Sequence, residues 1–190
     1  MSDFSLYFQL GLEHIADLAA YDHMLFIIAL CAIFKIADWK QVLILITAFT
    51  LGHSITLIFS VLDWVNIDKD LVETLIPITI LITCILNLII VFLRKTWPLL
   101  KLHYTLAFFF GLIHGLGFAN YLKSLLMGMG NVTVPLLAFN IGIEIGQVAI
   151  VLLYFVIYFI LIKLTTFSHR IWTVSISILV AIFSIFLIFS

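Results

Sequence analysis

Five ionisable side chains interrupt stretches that are otherwise aliphatic and aromatic: Asp22, His23, His53, His114 and Glu144. A carboxylate at mid-depth in hydrocarbon costs at least ~2.5–3.5 kcal/mol on insertion scales, so such groups persist where they face a bundle interior and meet a partner. Imidazole and carboxylate together are competent ligands for a divalent cation such as zinc, nickel or cobalt, and binding would neutralise the acids in a low-dielectric site. Neutral imidazole is the ligand form, so occupancy is expected to fall in acid. A sixth candidate, His14, lies upstream within GLEHIADLAAYDHMLF, Gly11 to Phe26.

The elements that hold these groups must be membrane helices. The chain has 190 residues, 65% hydrophobic and 10% charged, with a mean hydropathy of +1.31. Soluble domains average roughly 45–50% apolar and about 25% charged residues. The expectation is an all-α, polytopic membrane protein whose partner is the lipid bilayer, with no nucleic-acid partner and homo-oligomerisation left open. A span needs about 20 mostly apolar residues. Six stretches qualify, 12–34, 41–62, 74–94, 102–123, 134–162 and 170–190, forming one transmembrane domain over 1–190. No internal repeat and no low-complexity segment is evident.

Orientation follows from the basic residues. Seven of the nine Lys and Arg fall in odd-numbered connections, Lys35 and Lys40, then Arg94, Lys95 and Lys101, then Lys163 and Arg170. Only Lys69 and Lys123 fall on the other side, where Asp3, Glu13, Asp17, Asp63, Asp68, Asp70 and Glu73 gather. Both termini are therefore expected outside a bacterial inner membrane. Trp39, Trp64, Trp97 and Trp172 sit at expected boundaries, as an aromatic belt would require. Pro77 and Pro135 are placed in first turns, where a missing N–H costs little, and Pro98 in the third connection. The N-terminal MSDFSLYFQL has neither a basic n-region nor a small-residue cleavage site, so no removable signal peptide is expected. Cys31 and Cys84 lie in apolar runs without CxxC spacing and read as buried small hydrophobes.

Depth ties the candidates together. At about 1.5 Å per residue, His53, His114, Glu144 and the Asp22–His23 pair all lie about 14–15 Å from the outer ends of their spans. Asn140, Glu144 and Gln147, at i, i+4 and i+7, share one helix face, and Thr47, Thr50 and Ser54 stripe another. Asn140, Gln147, Ser54 and Thr50 are candidates for a second shell that orients the imidazoles. Gly111 with Gly115, and Gly142 with Gly146, are small-xxx-small pairs that let helices approach. In a continuous first helix His14 and Asp22 would be about 12 Å apart and some 80° apart in azimuth. His14 then belongs to the outer mouth, and only a break around Asp17–Tyr21 would bring it into the site. His103 and His169, at cytoplasmic boundaries, read as structural. GLIHGLGF is no phosphate loop, since it lies within a span and no basic residue follows it.

GLEHIADLAAYDHMLF, FTLGHSITL, FGLIHGLGFA and FNIGIEIGQ each fall in a different span, in the order found in the HupE/UreJ family of small bacterial membrane proteins, which the chain resembles over most of residues 11–150. The resemblance implies a six-helix protein of metal handling, typically a nickel or cobalt permease. Three readings of the polar set stay open. The first is a metal permease using His23, His53, His114, Asp22 and Glu144, with His14 at the mouth. The second is an intramembrane zinc hydrolase in which Glu144 or Asp22 acts as general base. The third is a structural or partner-binding subunit.

Overall fold

The structure, a computed structural model, describes residues 3–17, 21–93 and 97–189. Among them the chain forms α1 (Asp3–Ala16), α2 (Asp22–Cys31), α3 (Trp39–Val61), α4 (Lys69–Leu93), α5 (Trp97–Leu126), α6 (Thr133–Leu164) and α7 (His169–Phe189), with one 3₁₀ turn before α3 and no strand. Helices α3 to α7 are long and apolar enough to cross a membrane. The protein is all-helical, and its composition and these helices mark it as a membrane protein.

The stretch expected as the first span, 12–34, is divided. α1 ends at Ala16, and α2 restarts at Asp22 with only 10 residues. Ten residues rise about 15 Å, half of a hydrocarbon core of about 30 Å. Residues 18–20 lie outside the described residues. At the restart, the Asp22 carboxylate accepts the backbone N–H of His23 at 2.8 Å, an anion placed where first-turn N–H groups lack helical partners. At the other end the Asn87 amide donates to the Ala29 carbonyl at 2.7 Å. The Thr173 hydroxyl donates to the Ala32 carbonyl at 2.7 Å, and His169 Nε2 lies 3.1 Å from the Ile33 carbonyl. Side chains of α4 and α7 thus replace the missing next turn, as a helix ending away from water requires.

Three other expectations are corrected. α4 begins at Lys69, so Pro77 lies inside the helix, and its carbonyl accepts the Ser184 hydroxyl of α7. α5 begins at Trp97, so Pro98 falls in its first turn and outside the connection. Trp172 is buried and donates its indole N–H to the Tyr154 hydroxyl at 2.6 Å, whereas Trp39 and Trp64 are exposed. Tyr154 supplies the polar partner that an interface would otherwise give. Arg94 and Lys95, which entered the orientation reading, and the side chain of Trp97 lie outside the described residues.

Glycines set the helix pairing. Gly11 of α1 rests on the Phe139 carbonyl and the Ile143 amide of α6, and Gly142 rests on the Phe8 carbonyl and the Leu12 amide. Gly146 rests on Ile15, one turn further along both helices, so α1 and α6 run parallel with their backbones in contact. Gly52 of α3 rests on the Phe108 carbonyl and the Leu112 amide of α5, Gly111 on the Phe49 carbonyl and the His53 amide, and Gly115, one turn on, on the His53 carbonyl and Thr56, which makes a second parallel pair. Lipid tails give no hydrophobic drive between helices, so such close packing supplies the attraction. α4 and α7 run antiparallel, joined at Ser184–Pro77 and by Arg170 stacked over Phe92.

A Cβ at Gly111 or Gly142 would overlap a backbone carbonyl, whereas one at Gly130 meets nothing within 4 Å. Gly111→Ala and Gly142→Ala should each destabilise the bundle by roughly 1–3 kcal/mol, as overpacking does. Gly130→Ala should be neutral. Thermal unfolding in detergent, followed by the loss of the monodisperse peak, checks both.

Candidate metal centre

The break in the first span decides which imidazoles meet. It folds α1 back along α6 while α2 enters the bundle, and the His14 and His23 rings come to 4.7 Å between centroids. His53, from α3, lies 5.7 Å from His14 and 5.8 Å from His23. His14, His23 and His53 each offer a nitrogen within 4.8 Å of the others. His114, from α5, stands on the far side of His23 at 5.2 Å. His53 and His114 are 0% exposed and His23 is 3% exposed. The break that the sequence left as a condition for including His14 is present, and His14 joins the group.

Hydrogen bonds fix which nitrogens carry lone pairs. His23 Nδ1 is 3.0 Å from Asp22 Oδ1, so the carboxylate holds the proton on Nδ1 and leaves Nε2 basic. His114 Nε2 is 3.0 Å from Thr79 Oγ1. The single Thr79 proton goes to the Ile76 carbonyl at 2.7 Å. Thr79 therefore accepts from His114 Nε2–H, and Nδ1 keeps its lone pair. His14 Nε2, His23 Nε2, both nitrogens of His53 and His114 Nδ1 are buried without a partner. Each such atom costs about 1–3 kcal/mol, and a divalent cation would satisfy several at once. A tetrahedral shell with Zn–N of about 2.0–2.1 Å spaces its nitrogens by about 3.3 Å, so ring shifts of ~1 Å would bring the trio to three of its four positions.

Aromatic rings wall the cluster. Phe118 and Phe139 lie 3.9 and 5.7 Å from His14, and Phe26 and Phe49 lie 4.8 and 5.2 Å from His114. On one side an open vestibule of ≈ 780 Å³ reaches His14, lined also by Glu13, Asp17, Phe118 and Tyr121. His14 thus serves at once as the vestibule's inner wall and as a member of the cluster.

The remaining candidates form a ladder between α3 and α6, which run antiparallel there. The Thr47 hydroxyl donates to Glu144 at 2.8 Å, Thr50 to Gln147 at 2.8 Å, and Ser54 to Asn140 at 2.5 Å. Glu144 is joined to Thr47, and the ligand group found among the described residues is the histidine trio. Sequence reading missed Thr79, which sets the His114 tautomer, and the four phenylalanines. It also missed Asn87, which bridges the Ala29 carbonyl and His103. An Asn in a helix otherwise rich in Leu and Ile was the available signal.

A family model described as HupE / UreJ protein matches residues 1–190, so the whole chain belongs to the HupE/UreJ family. Neither the curated proteins nor the solved structures contain a significant match.

Asp22→Asn removes the charge that orients His23 while keeping an acceptor for the His23 backbone N–H. Calorimetric titration with Zn²⁺ or Ni²⁺ should show affinity about 10–100-fold weaker. Asp63→Asn, at the exposed pair with Lys123, should bind as the unsubstituted protein does.

Proposed function

We propose that this protein is a divalent-metal permease of the nickel type, working in a bacterial inner membrane. The observation that carries the reading is the buried cluster of unpartnered imidazole nitrogens from α1, α2, α3 and α5. In this reading His14, His23 and His53 hold the ion, His114 is the next imidazole inward, and Asp22 orients His23. Glu144 is a further acidic station, steadied by Thr47 and flanked by Asn140, Gln147, Ser54 and Thr50. α1 and α2 together make a sixth crossing, with both termini outside and the basic connections in the cytoplasm. The ion is the cargo, nickel first, with zinc and cobalt compatible with the same donors.

Two features favour cargo binding over hydrolysis. Asp22 already takes two hydrogen bonds from His23, and Glu144 is occupied by Thr47, so both carboxylates proposed as general bases have other partners. The acidic vestibule at His14 suits the entry of a cation. Imidazole must be neutral to ligate, so occupancy falls as the outside medium is acidified.

Proteoliposomes should take up Ni²⁺ down its gradient, and His53→Ala or Glu144→Gln should abolish uptake. Binding by calorimetry without any flux would exclude transport.

A further inference from the structure

Two stretches of the chain repeat at a separation that sequence inspection passed over. Phe8-x-x-Gly11-Leu12-x-His14 in α1 matches Phe108-x-x-Gly111-Leu112-x-His114 in α5. Ala48-Phe49-x-x-Gly52-x-x-Ile55 in α3 matches Ala138-Phe139-x-x-Gly142-x-x-Ile145 in α6. Sparse identities of this kind arise by chance in apolar helices, and contacts decide the matter. Gly11 meets the Phe139 carbonyl and the Ile143 amide, and Gly111 meets the Phe49 carbonyl and the His53 amide. Gly142 meets the Phe8 carbonyl and the Leu12 amide, and Gly52 meets the Phe108 carbonyl and the Leu112 amide. Exchanging α1 with α5 and α3 with α6 reproduces every one of these contacts at the matching residue.

One ring contact obeys the same exchange. His14 lies 5.7 Å from Phe139, and His114 lies 5.2 Å from Phe49. Because α1 parallels α6, α3 parallels α5, and α3 opposes α6, each helix runs opposite to its counterpart. The halves are thus inverted, with α4 and α7 crossing antiparallel between them. The exchange is incomplete, since His53 has Ile143 as its counterpart and the halves differ at the break. The first half breaks between Ala16 and Asp22, whereas α5 continues through the matching 117–121. The vestibule at His14 lies beside that break.

We infer that the chain is an inverted repeat whose halves exchange conformations, the break passing from the first half to α5 and the opening from His14 on one face to His114 on the other. The His cluster lies where the halves meet, as cargo sites of inverted-repeat transporters do. Gly115, just before the matching segment, and Gly117, its first residue, lower the cost of breaking α5 there. The inference rests on the permease reading for its purpose, while the repeat stands on the contacts.

Cysteine labelling tests it, in a Cys31→Ala, Cys84→Ala background. Leu10 lines the vestibule, and its counterpart Phe110 is buried. A membrane-impermeant maleimide is applied to either face of sealed vesicles. Leu10→Cys should react from the vestibule face only, and Phe110→Cys from the opposite face only. ZnCl₂ should shift the two rates in opposite directions, because an ion that prefers one state depletes the other. Phe110→Cys inert from both faces overturns the inference, as do rates that rise or fall together. Ile113→Cys, the counterpart of Glu13, replaces Phe110→Cys should that variant fail to fold. Absence of ZnCl₂ binding would sink the cargo reading, and labelling of metal-free vesicles would still decide the exchange.

Discussion

A helix that stops inside an apolar environment leaves backbone groups that water cannot reach, and each must find a side chain. The short helix α2 meets this constraint at both of its ends. Asp22 takes the His23 amide at the start of α2, while Asn87, Thr173 and His169 take the last carbonyls. Polar residues on α4 and α7 that have no part in holding an ion thus anchor the far end of the helix that carries His23. Across the break between α1 and α2, His14 and His23, nine positions apart in sequence, bring their ring centroids to 4.7 Å.

The division of labour between glycine and polar side chains follows from the solvent. Within each parallel pair, α1 with α6 and α3 with α5, backbone lies on backbone through glycine, and dispersion acts over many atoms at once. Between α3 and α6 the contact is a ladder of hydroxyl, amide and carboxylate groups. Intramembrane hydrogen bonds of this kind average only ≈ 0.6 kcal/mol each. The pairs are thus tight units and the ladder between them is the softer seam. The histidines draw on both units and on α2, so an ion held by them would tie the units together.

Much of this was legible in the residues. The apolar composition announced membrane helices, and α3, α5, α6 and α7 lie within a few residues of their expected spans. The candidate histidines stood at one depth because a fixed rise per residue converts spacing into height. What could not be read was lateral: which faces meet, and whether a helix is continuous. The far end of α2 is held by partners on α4 and α7, those on α7 more than a hundred residues away. Thr79 matters only because a carbonyl one turn back takes its proton. The repeat was hidden for a related reason. Its matching residues are common in any apolar helix, and only the shared contacts of Gly11 with Gly111 and of Gly52 with Gly142 distinguish it from coincidence.

The vestibule brings Glu13 and Asp17 beside His14, and with a low-dielectric wall of helix on either side their field is focused along the approach. Carboxylates lining a mouth raise the local cation concentration and the capture rate by about 10-fold or more. The Debye length is ≈ 8 Å at 0.15 M salt and about 30 Å at 0.01 M. The reach of these two acids therefore grows as the medium is diluted. On the permease reading, salinity would therefore set the speed of cation capture while the imidazoles would set its selectivity.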